Sequence, residues 1–320
     1  MLCNKKILIT GGAGFIGSLL AKTLSKQNQV LIYDNFARDA LKFREIVDNP
    51  KITVVKGDII DEDNLKKTIN DFLPTHIVHC AAIAGIDSVV KSPTNTLRVN
   101  ILGTANLLNV VKEMNLLCER IVLFSTSEIF GSHAFQSTEM HSAVIGAVGE
   151  ARWTYAVSKL ADEHFALAYF KEFGMPCTVV RPFNVYGPGQ VGEGALSIFV
   201  QRAIKNEPIF VHGDGNQIRS WCFVDDMLNG LMLVLSRENA VGQSFNIGNP
   251  RSVVTTYGLA QTVCRVLNSK SPISFSGRYF ADIELRIPDI KKSRELLEFE
   301  PQIDLEEGIL KTAEFYRSII

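Results

Sequence analysis

The sequence has no excess of charge of either sign and no long apolar run. Its 33 Lys and Arg residues are balanced by 34 Asp and Glu residues, which gives a formal net charge of -1. A chain without a basic excess lacks the electrostatic basis for binding nucleic acid. A chain without an apolar run of about 20 residues lacks the pattern of a membrane-spanning helix. We therefore expect neither nucleic acid nor a membrane as a partner.

Two further patterns are absent. The 6 Cys residues form no CxxC pair and several lie in apolar runs, so we predict reduced, buried thiols and a cytoplasmic location. The 6 His residues show no HExxH spacing, so we predict no metal site. His76 and His79 lie in an apolar run and are expected to be core residues. An apolar run begins almost at the N-terminus, so we expect no signal peptide.

Short apolar runs alternate with amphipathic stretches through the first half of the chain. The runs predict strands over residues 6–10, 29–34, 52–58, 76–82, 120–126 and 177–182. The amphipathic stretches predict helices near 15–26, 62–72, 94–114 and 152–173. This alternation is typical of βαβ units, and continuous apolar strands are typical of a sheet covered on both faces. We predict an α/β fold with a doubly wound parallel sheet.

A glycine-rich turn, in ILITGGAGFIG, connects the first predicted strand to the first predicted helix. Such glycines let backbone N–H groups approach a pyrophosphate at a helix N-terminus; the alternative is a helix that only packs closely on its strand. Asp34 ends the next strand, where a carboxylate can hold the ribose hydroxyls of NAD and would repel the extra phosphate of NADP. We predict a Rossmann-type NAD site with Asp34 and the turn residues Gly11, Gly14, Phe15, Ile16 and Gly17.

Small residues at two later strand ends can let a flat cofactor lie close to the sheet. They predict cofactor contacts at Asp58, Ile59, Ala81 and Ala82, although Asp58 can equally serve as a simple cap. After about residue 182 glycine and proline become dense and the predicted strands become shorter. We therefore place an NAD-binding domain at 1–182 and a smaller C-terminal substrate lobe at 183–320, with some crossover of the chain.

Tyr155 and Lys159, in YAVSK, are four residues apart and therefore share one helix face. A Tyr hydroxyl has a pKa of about 10 and is a poor base at neutral pH. A nearby ammonium and a nicotinamide cation favour the phenolate, which can take a proton while a secondary alcohol loses hydride to NAD. By itself the pair also fits an ordinary amphipathic helix; after a dinucleotide turn the catalytic interpretation is favoured.

The motifs TGGAGFIG, YxxxK and RPFNVYGPGQ together resemble the extended short-chain dehydrogenase/reductase family. More narrowly, they resemble its NAD-dependent nucleotide-sugar epimerase/dehydratase branch, and the resemblance covers nearly the whole chain. It implies a Rossmann domain, a C-terminal lobe that holds a nucleoside-diphosphate sugar, and homodimers paired through the helices near 94–114 and 152–173. It also implies that Asn184 and Arg219 contact the diphosphate. A planar guanidinium suits that role, and a surface ion pair is the alternative.

The stretch STSEIFG follows a predicted apolar strand, and the resemblance gives its polar residues a role. Thr126 matches the hydroxyl that bonds the 4-OH of the sugar beside Tyr155. Ser127 and Glu128 stand where plain 4-epimerases of the family usually have small or apolar residues. A carboxylate at this place suggests bond breaking after oxidation at C4, because the C4 ketone acidifies C5.

Relatives that carry the TSE triplet include 4,6-dehydratases and UDP-glucuronate decarboxylases. The stretches RWTY, NIGNP and LRIPDI resemble the decarboxylases, and Arg286 matches their arginine near the sugar carboxylate. Gly189 departs from them, because they have Arg at that position, and this loop resembles an epimerase. We therefore expect oxidation of an NDP-hexose at C4, with UDP-glucuronate-type decarboxylation favoured narrowly over 4-epimerisation and then dehydration. A non-catalytic protein that senses NAD is the alternative from a different class.

Overall fold

The computed structural model describes residues 2–46, 48–277 and 283–319. A seven-stranded parallel sheet lies at its centre, flanked by helices. The strands are β1 Lys6–Thr10, β2 Gln29–Asp34, β3 Ile52–Lys56, β4 His76–His79, β5 Arg120–Phe124, β6 His133–Ser137, β7 Cys177–Pro182, β8 Val185–Tyr186, β9 Ile209–His212, β10 Ile218–Ser220, β11 Cys222–Phe223, β12 Ser244–Ile247, β13 Val253–Thr255, β14 Ile273–Ser276 and β15 Leu285–Pro288.

The α-helices alternate with the strands in the first half of the chain and are less regular in the second. They are α1 Phe15–Leu24, α2 Glu62–Phe72, α3 Ile86–Lys91, α4 Pro93–Leu97, α5 Gly103–Glu113, α6 Thr154–Phe173, α7 Ala195–Lys205, α8 Val224–Ser236, α9 Thr256–Leu267, α10 Lys291–Leu297 and α11 Leu305–Ile319. Within the described ranges, none of these helices combines the length and apolar character needed to cross a membrane.

The large sheet has the strand order β12-β7-β5-β4-β1-β2-β3, and every adjacent pair in it is parallel. From β1 the sheet continues on one side through β2 and β3, and on the other side through β4, β5, β7 and β12. The strand order therefore reverses between β1 and β4. This confirms the prediction of a doubly wound parallel sheet. Three strands end earlier than predicted, at Lys56, His79 and Phe124. The small residues that follow them leave the sheet, so they are available to line a site at its edge.

The chain crosses between the two predicted domains in both directions. β12, from the second half, pairs with β7 of the large sheet. β6, from the first half, pairs with β15 in a second sheet of order β13-β10-β15-β6. The boundary at residue 182 stays a prediction, because both sheets use strands from both sides of it.

The helix predicted near 94–114 consists of three segments. A π-helical stretch, Arg98–Leu102, separates α4 from α5. Asn100 in this stretch is fully buried. Its side chain accepts a hydrogen bond from Ile83 N at 2.8 Å and donates to Ser158 Oγ on α6 at 2.9 Å. One amide thus fixes the chain after β4 relative to the helix that carries Tyr155 and Lys159.

Candidate active site

A cavity of about 570 Å³ opens at the carboxyl ends of β1 and β4. Ligands of doubly wound folds bind at this point, where the strand order reverses. Twelve of the residues predicted for the site line the cavity: Gly11, Gly14, Phe15, Ile16, Gly17, Asp34, Ile59, Ala81, Ala82, Thr126, Tyr155 and Lys159. The structure therefore brings the glycine turn and the Tyr–Lys pair to one place.

The glycine turn needs glycine at two positions for steric reasons. Gly11 has a φ of +68°, and a Cβ there would lie 2.5 Å from Ala81 N. A Cβ on Gly17 would lie 2.6 Å from Gly11 O. The turn therefore lies directly against the chain after β4, and α1 starts from it with its N-terminus lining the cavity. That geometry leaves backbone N–H groups open to a phosphate.

Asp34 ends β2 and Asp58 follows the neighbouring strand β3, but only Asp34 lines the cavity. The Asp34 carboxylate accepts hydrogen bonds from Ala13 N at 2.9 Å and Phe36 N at 2.7 Å and lines the cavity. Burial raises its pKa above the usual value, and the two backbone hydrogen bonds offset only part of this rise. The Asp58 carboxylate accepts from Ile60 N at 3.2 Å and does not line the cavity. This contact closes a local turn, whereas the N-cap of α2 is Asp61; a cofactor contact of Asp58 stays a prediction.

The residues of this cavity fit NAD. The glycine turn gives a cradle that a Cβ at Gly11 would fill, and Asp34 gives a carboxylate at the end of β2 for the adenosine ribose. Lys159 lines the opposite part of the same cavity and would meet the nicotinamide ribose. When bound at these residues, NAD would supply a hydride acceptor for the substrate.

Thr126 and Tyr155 form the centre of the candidate chemistry. Thr126 caps a 3-10 turn, Ser127–Phe130, because its Oγ1 accepts a hydrogen bond from Glu128 N at 3.2 Å. Burial raises the pKa of the Tyr155 hydroxyl above its ordinary value, and the charges of Glu128 and Asp162 raise it further, while a hydrogen bond with Thr126 lowers it. In the chain alone, Tyr155 is thus a protonated phenol that is hydrogen-bonded to Thr126.

Lys159 has a partner that the sequence analysis missed. Its Nζ donates a hydrogen bond to Asp162 Oδ2 at 2.7 Å, and both side chains are almost completely buried. Asp162 lies three residues further along α6, so the spacing was a usable signal. The predicted action of Lys159 on the Tyr155 pKa is therefore opposed in the chain alone, because Asp162 offsets the ammonium charge. The predicted bond to the nicotinamide ribose stays a prediction.

Glu128 lies between arginines from two separate parts of the chain. Its Oε2 is 2.6 Å from Arg152 Nη1, and its Oε1 is 3.8 Å from Arg286 Nη1. Burial raises the pKa of Glu128, but the positive charges of Arg152, Arg286 and Arg219 outweigh this and hold the pKa below its usual value. Glu128 is therefore an ionised carboxylate in this structure and, at neutral pH, has no proton to donate.

Besides Asp58, five predicted residues lie outside the lining of the cavity: Ser127, Glu128, Asn184, Arg219 and Arg286. Ser127 is buried in the 3-10 turn. Asn184 has a φ of +39° and its Nδ2 donates to Ser220 O at 2.7 Å. Arg219 donates to Ile283 O at 2.6 Å. The described contacts of Asn184 and Arg219 hold the second lobe together, and their predicted contacts with a diphosphate stay predictions.

Trp153 has a clear packing reason in the structure. Its ring is buried with Ala156, Ile145 and Ile283, and its Nε1 donates to Glu150 Oε2 at 2.9 Å. The ring thus connects the start of α6 to the loop before it. Because Arg152 precedes Trp153, this packing also fixes the arginine that holds Glu128.

Glu193 closes one side of the cavity and was not predicted. Its carboxylate accepts hydrogen bonds from Asp87 N at 2.8 Å and from the Ser88 hydroxyl at 2.9 Å. Arg38 lies 3.6 Å from the same carboxylate. These residues come from α3 and from two loops that are distant in the sequence, so no local spacing in the sequence indicates the contact.

The histidine prediction is confirmed. His79 Nδ1 lies 2.7 Å from Thr10 Oγ1, and its Nε2 lies 3.0 Å from Thr104 Oγ1. Burial lowers the pKa of His79 to about 3 and that of His76 to about 4. All six cysteines are free thiols, and Cys3 is exposed rather than buried as expected. Within residues 2–46, 48–277 and 283–319, no cluster of three or more His, Cys, Asp or Glu side chains is arranged to hold a metal ion.

Known proteins resemble this chain over almost its whole length. It is 31% identical over 326 residues to the UDP-N-acetyl-alpha-D-glucosaminuronate decarboxylase of Bacillus cytotoxicus, with 99% of each chain covered. It is 32% identical over 320 residues to UDP-glucuronic acid decarboxylase 1 of Arabidopsis thaliana, covering 98% of this chain and 70% of that protein. The structure of the UDP-glucuronic acid 4-epimerase from Bacillus cereus, in complex with UDP-glucuronic acid and NAD, superimposes with a TM-score of 0.89 at 26% identity, covering 98% of this chain and 100% of that chain.

The sequence model of the NAD dependent epimerase/dehydratase family matches residues 7–248. This range includes the glycine turn, Thr126 and the Tyr155–Lys159 pair, which the structure brings to one cavity. The chain is therefore an NAD-dependent enzyme that belongs to the NAD dependent epimerase/dehydratase family.

Proposed function

We propose that this enzyme oxidises a nucleoside-diphosphate hexuronate at C4 and then decarboxylates it, with a UDP-glucuronate-type substrate. The observation that carries this proposal is the arginine pair around Glu128. A guanidinium is well suited to a carboxylate, and Arg286 reaches the edge of the same cluster from the second sheet. The decarboxylases of Bacillus cytotoxicus and Arabidopsis thaliana support the assignment, since both names specify carboxylated sugars.

Tyr155 and Thr126 would carry out the proton chemistry at O4. With NAD as the acceptor of the hydride from C4, the Tyr155 phenolate would take the proton of the 4-OH, while Thr126 would hold that oxygen by a hydrogen bond. The resulting 4-ketone is a β-keto acid, because the carboxyl carbon C6 is attached to C5. The C5–C6 bond breaks, CO₂ leaves, and the electron pair forms an enolate whose oxygen receives hydrogen bonds from Thr126 and Tyr155. A proton then adds at C5, and the ketone is reduced again, so the cycle is redox-neutral.

The lowered pKa of Glu128 favours decarboxylation over dehydration. A dehydratase needs a carboxylate that removes the C5 proton, and a carboxylate held by two arginines is a weakened base. Decarboxylation generates its carbanion by loss of CO₂ and needs no base at C5. Epimerisation at C4 is the second candidate. The loop at Gly189 favours it, and the Bacillus cereus structure is that of a 4-epimerase with a carboxylated sugar.

Product analysis tests the proposal directly. The NAD-loaded enzyme is incubated separately with UDP-glucuronate, UDP-N-acetylglucosaminuronate, UDP-glucose and UDP-N-acetylglucosamine, and the products are weighed by mass spectrometry. We expect loss of CO₂ from a uronate and no reaction of that kind in the Tyr155→Phe variant. A product of unchanged mass from the uronates would contradict decarboxylation and support 4-epimerisation instead. Bound NAD without turnover of any nucleotide sugar would instead support a sensing role.

We further propose that the enzyme is a cytoplasmic homodimer. The six free thiols suit a reducing compartment. Two apolar side chains, Leu102 and Val157, are exposed on the helices that the family resemblance assigns to pairing. Sedimentation of the purified enzyme is expected to give the mass of a dimer, and charged substitutions at both positions are expected to give a monomer. A monomer before substitution would contradict the dimer.

A further inference from the structure

A glycine-rich segment of the second lobe, residues 187–194, forms part of the wall of the cofactor cavity and is called the strap below. It joins β8 to α7. Three of its residues, Gln190, Val191 and Glu193, line the cavity together with residues that follow β2 and β4 in the first domain. The wall is thus supplied by both lobes, and it opens on this side only when the strap moves away from the first domain.

The first half of the strap is held by buried backbone contacts. Arg44, a buried residue of the first domain, donates hydrogen bonds to Pro188 O and Gly189 O, each at 3.2 Å. Gln190 O accepts a hydrogen bond from the hydroxyl of Tyr316 on α11 at 3.2 Å. The base of the strap is therefore fixed to both lobes.

The second half of the strap is held to the first domain by one side chain, that of Glu193. Its Oε2 accepts a hydrogen bond from Asp87 N at 2.8 Å, and its Oε1 accepts from Ser88 N at 3.2 Å and from the Ser88 hydroxyl at 2.9 Å. Arg38 Nη2 donates to Ser88 Oγ at 3.1 Å and lies 3.6 Å from Glu193 Oε1. Among the described residues, no other hydrogen bond joins residues 191–193 to the first domain.

Glycines on both sides of this contact make it possible. Gly192 has a φ of +88°, and a Cβ there would lie 2.8 Å from Arg38 Nη1. Gly85, directly before α3, has a φ of +95°, and a Cβ there would lie 2.8 Å from Glu193 Oε1. Gly194 separates Glu193 from α7. Glu193 thus fits closely against the first domain, while the chain on either side of it is of the small-residue type that hinges often use.

We propose that Glu193 is a latch that holds the strap closed over the cofactor and sets how fast the cofactor enters and leaves. Its carboxylate binds the start of α3 and acts through the position of the strap, so Glu193 is a positioning residue. When that contact breaks, the segment between Gln190 and α7 swings on Gly192 and Gly194, while Arg44 keeps the base of the strap in place. The inference concerns the cofactor alone and holds for either candidate sugar reaction.

A latch has a kinetic signature that a direct contact with the cofactor lacks. The strap has to open for entry as well as for release, so a weaker latch raises the association and dissociation rate constants by similar factors. The dissociation constant is the ratio of the two and therefore changes little. A side chain that binds the cofactor directly changes mainly the dissociation rate, and the affinity changes with it.

Stopped-flow fluorescence with NADH as the probe measures both rate constants. Association is followed after mixing NADH with the cofactor-free enzyme, and dissociation is followed by displacing bound NADH with excess NAD. The variants are Glu193→Ala, Glu193→Gln, Ser88→Ala and the double variant Glu193→Ala with Ser88→Ala. Glu207→Ala is the matched control, because Glu207 is also an exposed glutamate of the second lobe and its side chain has no hydrogen bond or ion pair within the described ranges.

We expect Glu193→Ala to raise both rate constants by about five- to twentyfold and to change the dissociation constant by less than about threefold. Glu193→Gln should raise both by about two- to fivefold, because the amide oxygen can still accept a hydrogen bond. Ser88→Ala should raise both by less than Glu193→Ala does, and it should add nothing in the double variant, because Ser88 acts through Glu193. Glu207→Ala should leave both rate constants unchanged.

Two results would overturn the inference. Faster dissociation with unchanged association in Glu193→Ala would make Glu193 an ordinary contact of the cofactor. Unchanged rate constants in Glu193→Ala would show that the strap is no barrier to exchange. If thermal unfolding shows that Glu193→Ala does not fold, the same comparison of the two rate constants in Glu193→Gln decides between latch and contact.

Discussion

The cofactor end of the cavity, at Lys159, and the proposed sugar end, around Glu128 and outside the cavity lining, hold their buried charges in different ways. At the cofactor end, Lys159 and Asp162 form an ion pair within one helix, three residues apart. At the sugar end, Glu128 joins Arg152 from the start of α6 and Arg286 from the second sheet. The first pair is set by helical spacing alone. The second requires two sheets and a helix to meet, so its geometry can differ between enzymes that share the same fold.

This difference also separates recognition of the cofactor from selective recognition of a substrate. The cofactor end consists of a glycine turn, one carboxylate and a local ion pair, which together suit the constant part of the reaction. The proposed sugar end consists of long-range arginine contacts, which would suit the variable part. The following predictions test the comparison, from the largest expected effect to the smallest.

At the cofactor end, Gly11→Val should abolish binding of NAD. The positive φ of Gly11 disfavours any side chain, and its Cβ would lie 2.5 Å from Ala81 N. We expect affinity for NAD to fall by about 100-fold or more, measured by calorimetry with NAD. Gly14→Ala is the matched control, because its Cβ would meet only Gly11 O, at 3.2 Å. Equal losses in both variants would contradict the steric argument.

Asp162→Leu should destabilise the fold, because it leaves the Lys159 ammonium buried without its carboxylate. Breaking one side of a buried pair costs about 3–5 kcal/mol of unfolding free energy, measured by urea denaturation. Asp162→Asn should cost less, since the amide oxygen can still accept the hydrogen bond.

The double variant Asp162→Leu with Lys159→Met should recover much of that loss, because both charges are then absent. Glu113→Gln is the surface control: its pair with Lys66 is about half exposed, and such pairs contribute about 1 kcal/mol or less. A loss for Asp162→Leu no larger than that of the control would show that the buried pair is not maintained in solution.

The sugar end gives a pH dependence with a defined sign. The folded-state pKa of Glu128 lies below its usual value, so its stabilising effect is complete at neutral pH and is lost as pH falls through the carboxyl range near about 4. In Arg152→Met burial dominates and the pKa of Glu128 rises. The unfolding free energy that Arg152→Met loses relative to the unsubstituted protein should therefore be largest at pH 7. This loss should become smaller by about 1 kcal/mol or more towards pH 4.

Thermal or urea unfolding from pH 4 to pH 7 measures that change, with Arg202→Met as the control whose deficit should not vary. Both proteins should also lose stability on acidification below about pH 6.5, because the unfolded chain protonates His76 and His79 while the folded chain resists protonation. This contribution of the two histidines is the same in both proteins, so it cancels when their unfolding free energies are subtracted. A constant deficit for Arg152→Met would rule out a charged Glu128–Arg152 pair.

Glu193→Gln should have the smallest effect, because its contacts lie at the exposed edge of the cavity. Its carboxylate binds the chain at Asp87 and Ser88 and lies 3.6 Å from Arg38. Contacts of this kind contribute about 0.2–1 kcal/mol, so we expect NAD to dissociate about two- to fivefold faster, measured by stopped-flow fluorescence. Glu207→Gln, another exposed carboxylate, should not change the rate.

The fold could be predicted closely because its signals are local. Each predicted strand of the first half begins at the residue where the structure begins it, since continuous apolar runs are typical of buried parallel strands. The interruption of the predicted 94–114 helix was missed. It depends on Asn100, whose amide binds Ile83 and Ser158 from elsewhere in the chain, and no periodicity within the helix indicates those partners.

The sequence by itself determined the parallel sheet, the glycine turn and the presence of Tyr155 and Lys159 on one helix face, because strand periodicity, turn sterics and helical spacing act over a few neighbouring residues. Only the tertiary structure decided how the charges are paired. Glu128 is 24 residues from Arg152 along the chain, and Arg286 reaches it from the opposite lobe. Buried charges take whichever partner the packed fold brings within hydrogen-bond distance, and that choice is made by how the sheets and helices meet rather than by any local pattern.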